Sequence, residues 1–440
     1  MNNKQINQSL IDGMLIKGVL PHLDSLQEVA FIFKASFGLE KLPIEPGVIF
    51  IRGPRQYGKS TWLEQQIALT IKEFGGGSAL YVNGDEISDH NELTEEIRML
   101  LQLFATNASV KRLFIDEITA ITDWQKSIKR LLDAGELKDI LLVTTGSKAQ
   151  DLRRGVERLP GRKGKLTRTN YIFTPISYRE FKNKCGDVFK DDCLWAYILS
   201  GGSPVAINAL AQTGRIPEYI TSIVSDWILG EFAATGRSRT HLLVVLQSLY
   251  KMAGTPIGQA KLARESGLAN NMVAQGYIEL LADLMVLIPA FPFDISKNLS
   301  MFRKPCKYQF VNLLTALTWH PKKPRTIHEL KGWSNELGAL FEWTVSQEIW
   351  RQLCIHQSDE LPEYLDFWQS ADHEIDFIFP DKNLYLEVKV GENHATNFIW
   401  FLKTIKHAPL TVIGKNRFDT EGIKGITLED FLLNETFLFS

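Results

Sequence analysis

Four stretches of this chain, 48–51, 78–83, 112–116 and 140–145, are apolar without polar alternation. Runs of about four to eight apolar residues bounded by turn formers predict strands covered on both faces. Helical periodicity separates them, as in 59–72. The order strand–helix–strand predicts an α/β domain, a doubly wound parallel sheet. The pattern then changes. Residues 183–230 read as helices, and 242–252, 257–265 and 270–284 as three more, followed by extended 285–293. Three helices and an extended stretch resemble a winged helix-turn-helix. After a helix over 336–352, residues 373–379 and 384–390 alternate polar with apolar. They predict a hairpin with one dry face, turning at 380–383.

The first apolar run opens into Gly53-Pro54-Arg55-Gln56-Tyr57-Gly58-Lys59-Ser60-Thr61, which meets the spacing G-x-x-x-x-G-K-[ST]. Glycines let the backbone N–H groups turn inward on a phosphate. Lys59 is expected to reach the β- and γ-phosphates and the Ser60 hydroxyl to ligate Mg²⁺, so the expected ligands are ATP and Mg²⁺. The third run ends in Asp116-Glu117. Asp116 is expected in the Mg²⁺ shell, and Glu117 as the base that positions or deprotonates water. The fourth ends in Thr145-Gly146-Ser147, where a hydroxyl would sense the γ-phosphate. Thr145 is the first choice and Ser147 the second.

A basic stretch comes next: Lys148, Arg153, Arg154, Arg158, Arg162, Lys163, Lys165 and Arg168. Three readings stand for it: a solvated surface, an arginine finger for a neighbouring subunit, or a nucleic-acid contact. Arg158 and Arg162 flank a Leu-Pro-Gly turn that would present them, and a finger acting in trans implies a homo-oligomer.

Composition narrows the class little. Net charge is -2, so any DNA contact must come from local patches. The four cysteines are scattered without a C-x-x-C pair, which fits a reducing cytoplasm. No apolar run approaches the ~20 residues of a membrane span, and no signal sequence is apparent. The chain of 440 residues is long enough for several domains.

In the alternating segments Glu374 and Asp376 share a face, as do Glu387 and Lys389. A hairpin would bring Asp376 and Glu387 together as hard oxygen ligands for a second divalent metal. Lys389 beside them would orient water or stabilise a phosphorane. An isolated E-x-K is more often the charged outer face of a hairpin. The candidate recognition helix, with Asn271 and Gln275, has no Lys or Arg, which favours a structural or subunit-contact role over DNA reading.

Taken in order, Gly-Pro-Arg-Gln-x-Gly-Lys-Ser at 53–60, Ile-Asp-Glu at 115–117, Thr-Gly-Ser at 145–147, Gly-Arg at 161–162, Pro-Ile-Ser-Tyr-Arg-Glu-Phe at 175–181 and Gly-Gly-Ser-Pro at 201–204 resemble one family. It is that of prokaryotic AAA-family ATPases with a C-terminal uncharacterised domain related to PD-(D/E)XK nucleases. The resemblance implies an ATPase core with an N-terminal helical extension (1–182), a helical lid (183–235), a winged-helix-like domain (236–325) and a nuclease-like domain (326–440). It also implies Glu342, on the helix before the hairpin, as a third metal ligand. Asn312 departs from the Asp common at its position. Two functions stand as expectations: ATP-regulated nucleic-acid processing or defence, or a nucleotide-controlled switch whose C-terminal domain binds a protein or DNA partner without cutting.

Overall fold

The computed structural model describes residues 1–147, 165–356, 362–406 and 408–439. It divides into two compact units, Met1–Thr174 with Cys354–Leu361, and Pro175–Leu353 with Pro362–Ser440. Arg158 and Arg162 lie outside the described residues.

The first unit holds a five-stranded parallel sheet: β1 (Gly47–Arg52), β2 (Ala79–Asn83), β3 (Arg112–Asp116), β4 (Leu141–Gly146) and β5 (Asn170–Ile172), in the order β2-β3-β4-β1-β5. Successive residues of a strand face opposite sides. Ile49, Ile51, Phe114 and Val143 pack with Leu63 and Ile67 of the helix Lys59–Phe74. Val48, Phe50, Leu113 and Ile115 pack with Leu93 and Ile97 of the helix His90–Leu101 and Ile128 of Trp124–Asp133. Both faces are dry, which is why these strands show no alternation. Each such side chain contributes about 1.5–3 kcal/mol on burial.

The N-terminal helix Asn3–Ile11 covers the open edge of β2. Asn7 accepts from the Tyr81 N–H at 2.8 Å and donates to its carbonyl at 2.7 Å, so one side-chain amide stands in for a ladder partner. Asn3 accepts from the Asn83 N–H in the same way at 2.7 Å. An edge left bare would invite pairing with another chain.

The second unit begins with helices. Ser203 caps the helix Pro204–Thr213, accepting the Ala206 N–H, and Pro204 occupies its first turn, where a missing N–H is harmless. The helices Arg239–Lys251, Gln259–Glu265 and Asn271–Asp283 lie where the sequence predicts them. The strands after these helices do not form a separate wing. Instead β6 (Leu287–Asp294), β7 (Leu299–Ser300) and β8 (Lys307–Phe310) join β9 (Leu365–Gln369), β10 (Glu374–Phe379), β11 (Leu384–Val388), β12 (Leu410–Gly414), β13 (Phe418–Thr420) and β14 (Ile423–Thr427). Among the described residues the order is β13-β14-β12-β11-β10-β9-β6-β7, with β8 on β6. Ala290 of β6 pairs with Leu365 of β9, so 236–325 and 326–440 share one sheet across the expected boundary at 325. Alternation marks the hairpin but cannot show that β6 extends it.

Asn312 caps the helix Leu313–Trp319 through the Thr315 N–H at 3.1 Å, a role that needs an oxygen and no charge. The four cysteines are buried free thiols. Among the described residues no helix is long and apolar enough to cross a membrane.

Candidate functional sites

The first site is built at the carboxyl ends of β1, β3 and β4, where open α/β sheets bind ligands. Gly58 takes φ +95, open to solvent on its Cβ side, which lets the loop turn into the helix Lys59–Phe74. Lys59 is buried, and its Nζ donates to the carbonyls of Gly53 and Pro54, each at 2.8 Å. Burial pulls its pKa down to about 8, while the nearby charges of Glu117 and Asp116 oppose that fall. Ser60 and Thr61 sit on the first turn of the helix. Arg55 is exposed, and Tyr57 is buried in the core with Trp62, so its side chain packs the loop down.

Register fixes the acids. Ile115 pairs with Thr144 and Ile51 with Thr145, which sets Thr145 level with Asp116. The fully buried Thr145 hydroxyl donates to Asp116 Oδ1 and accepts the Glu117 N–H at 3.1 Å. Glu117 has φ +50, a left-handed conformation uncommon outside glycine. Its Oε1 accepts three hydrogen bonds, from Thr119 Oγ1 at 2.6 Å, Ser147 N at 2.9 Å and Ser147 Oγ at 2.8 Å. Burial alone would raise the Glu117 pKa. The Thr119 bond, the Lys59 charge and the two Ser147 bonds outweigh it and hold the pKa below the usual range. Ser147, the second choice as a sensor, thus holds the expected base, and Thr145 holds the expected metal ligand.

One residue of this site gave no motif signal. Gly84 comes directly after β2, and a Cβ there would lie 2.5 Å from the Glu117 carbonyl and 2.9 Å from that of Asp116. Its lack of a side chain is what lets the end of β3 adopt this path.

The second site lies on β10, β11, β8 and the helix Leu337–His356. Phe377 pairs with Leu386, and the next step of the ladder sets Asp376 beside Glu387. The Asp376 N–H donates to Glu387 Oε2 at 3.3 Å and the Val388 N–H to Asp376 Oδ2 at 2.8 Å. Lys389 pairs with Glu387. Phe377 and Val388 are buried. The turn is a short 3-10 segment, Pro380–Lys382, closed by Asn383 in the left-handed region. Asp376, Glu387 and Lys389 thus come together.

Sequence reasoning missed the centre of this cluster. Lys307 of β8 places its Nζ 3.3 Å from Glu342 and 3.1 Å from Asp376, and also bonds Glu374. Gln309, on the same face of β8, donates to Glu342. Burial alone would lower the Lys307 pKa, but the charges of Glu342, Asp376 and Glu374 raise it instead. Burial and then Asp376 push Glu342 up to about 7, and the same two causes push Glu387 well above the carboxylate range. The expectation of Glu342, Asp376 and Glu387 as metal ligands meets this difference: an ammonium stands among Glu342, Asp376 and Glu374. Among the described residues no group of three or more His, Cys, Asp or Glu is arranged to hold a metal ion.

The sequence profile of the family described as AAA domain matches residues 45–182. The chain is 27% identical to the uncharacterized protein MJ1544 of Methanocaldococcus jannaschii over 448 aligned positions, covering 96% of this chain and 93% of that one. Among solved structures it is similar to the Walker-type ATPase PABY2304 of Pyrococcus abyssi, at TM-score 0.41 and 12% identity, over 68% of this chain and 94% of the other. It is also similar to RuvB of Thermotoga maritima, at TM-score 0.30 and 15% identity, over 55% and 81%. The matched residues 45–182 hold the phosphate-loop sequence and also Asp116, Glu117, Thr145 and Ser147.

Proposed function

We propose that this protein is a magnesium-dependent ATP hydrolase acting as a nucleotide-controlled switch, with its C-terminal unit binding a DNA or protein partner without cutting. The gathering of Lys59, Asp116, Glu117, Thr145 and Ser147 at the carboxyl end of the sheet carries the reading. Gly53 to Thr61 would surround the phosphates. The Ser60 hydroxyl and the Asp116 carboxylate are hard oxygen donors, the chemistry that suits Mg²⁺. Bound Mg²⁺ would neutralise charge on the β- and γ-phosphate oxygens. Glu117, ionised and fixed through one oxygen, would take the proton of the attacking water as the bond from the γ-phosphorus to the bridging oxygen breaks, giving ADP and phosphate. Arg162 is proposed as a finger supplied to a neighbouring copy, which makes the working form a homo-oligomer.

A second reading, ATP-regulated nucleic-acid processing, draws its support from one feature: the convergence of Asp376, Glu387 and Lys389. The switch is favoured because the Lys307 ammonium already bonds Asp376 and Glu342, two of the acids a metal would need. The deciding experiment is ATP hydrolysis with and without DNA, run beside a nuclease assay on DNA and RNA in Mn²⁺. ATP turnover without cleavage supports the switch. Cleavage lost in Asp376→Asn replaces it with the nuclease, and a folded protein without ATP turnover sinks both.

A further inference from the structure

Three carboxylates crowd one buried point in the second unit. The side chains of Glu342 and Asp376 are each 9% exposed, and that of Glu374 is 28% exposed. Like charges so placed destabilise one another, and without a cation at least one would give up its charge. The Lys307 side chain, 1% exposed, supplies that cation. An ammonium has three donors, and here three carboxylates receive them. The residues come from three separate elements: Lys307 from β8, Glu342 from the helix Leu337–His356, and Glu374 and Asp376 from β10. Gln309 enters the same cluster from β8 through Glu342, yet its buried Oε1 has no hydrogen-bond partner. That orphaned oxygen is a free acceptor on the same amide whose nitrogen bonds Glu342.

We propose that Lys307 takes the place of a divalent metal ion in this cluster, so that the native protein binds none there. Removing its charge opens a hard-oxygen cation site made by Glu342, Asp376 and the Gln309 carbonyl. This rests on the reading of the C-terminal unit as a non-cutting module.

The test measures Mn²⁺ uptake by electron paramagnetic resonance on the full chain without nucleotide, together with Tm. Wild type should show no Mn²⁺ site that Asp376→Asn removes. Lys307→Met should melt several degrees lower without metal. It should bind Mn²⁺ at least tenfold more tightly than wild type and regain Tm when it does, and both effects should vanish when Asp376→Asn is added. Should Lys307→Met fail to fold, Lys307→Met with Glu374→Gln removes a carboxylate along with the ammonium and should bind Mn²⁺ likewise. Wild-type uptake that Asp376→Asn abolishes overturns the proposal, as does a folded Lys307 variant that takes up no Mn²⁺. Wild type that binds Mn²⁺ there but cuts nothing sinks this inference alone. Cutting that persists in Asp376→Asn sinks only the parent reading.

Discussion

The hydroxyl of Thr145 is hydrogen-bonded to the carboxylate of Asp116 across neighbouring strands, and the same oxygen accepts the Glu117 N–H. One hydroxyl therefore orients the side chain of one acid and the backbone of the next. Thr145→Val keeps the shape and removes both bonds. The Glu117 N–H keeps Asp116 Oδ1 as an acceptor at 3.1 Å, so the loss is about 0.5–1.5 kcal/mol for each bond removed. We expect a lower Tm and ATP turnover reduced at least tenfold, read by thermal melting and steady-state hydrolysis. Unchanged turnover would leave Thr145 a packing residue only.

Lys59→Ala should abolish turnover and leave the fold standing. Among the described residues its Nζ bonds the Gly53 and Pro54 carbonyls of its own loop, so truncation breaks no distant contact there. What is lost is the charge-assisted contact to phosphate. Circular dichroism should match wild type while phosphate release falls to background. Hydrolysis at the wild-type rate would end the assignment.

Glu117→Gln should bind ATP and hydrolyse it ~10²–10⁴-fold more slowly, the usual contribution of a general base. Ser147→Ala should give a smaller loss. It removes the hydroxyl bond to Glu117 and keeps the backbone one. Single-turnover assays separate the two effects from binding. Equal rates for Glu117→Gln and wild type would move the base elsewhere.

The candidate nucleotide site was legible because its chemistry is local. Gly53 to Ser60 is one loop, and Asp116 and Thr145 close apolar runs whose burial is plain from composition alone. Ser147 and Gly84 were harder, since their roles depend on which strand lies beside which. The C-terminal cluster was half legible. Alternation places Asp376 and Glu387 on one face, but nothing local says that Lys307, 69 positions before Asp376, will bond Asp376, Glu374 and Glu342. Its strand, 307–310, falls within the expected winged-helix-like domain at 236–325, and β6, which pairs with it, joins the hairpin's sheet through a parallel pairing with β9. Parallel pairing between distant segments leaves no periodic mark in either.

Stability should rise with pH on the acid side through His320. Burial lowers its pKa to about 4, against a weaker pull upward from Glu336. The ring packs at 4.3 Å from Trp333 and 5.1 Å from Tyr250, and its Nδ1 accepts the Lys322 N–H at 3.1 Å. The unfolded chain binds this proton near pH 6.5 and the folded chain does not until about pH 4. The neutral ring's contribution is therefore complete above pH 6.5 and lost as pH falls toward 4. His320→Phe keeps an aromatic ring without the titration, so its Tm should vary less than that of wild type across this window. Parallel Tm–pH curves for the two proteins would place the acid sensitivity elsewhere.

Gly84→Ala should slow ATP turnover although Gly84 offers no side chain to the reaction. A methyl group there would meet the Glu117 and Asp116 carbonyls at 2.5 and 2.9 Å, and both are backbone atoms that cannot rotate aside. Either β2 or the end of β3 must shift by several tenths of an ångström. The end of β3 is the softer of the two, because Glu117 already sits at φ +50 and lies beyond Asp116, the last residue of β3 paired with β2. Its displacement would loosen the bonds to Ser147 and Thr119 that aim the carboxylate. Misplacing a catalytic group by about 1 Å can slow a reaction ~10²-fold. We expect turnover to fall by more than tenfold, ATP affinity to change by less than threefold, and Tm to drop by a few degrees. Gly186→Ala is the control, since that glycine lies inside the helix Tyr178–Phe189 with open space around it. Alanine there should stabilise by roughly 0.4–1 kcal/mol and leave turnover alone. If Gly84→Ala lowers Tm as expected but keeps wild-type turnover, the end of β3 does not set the position of the base.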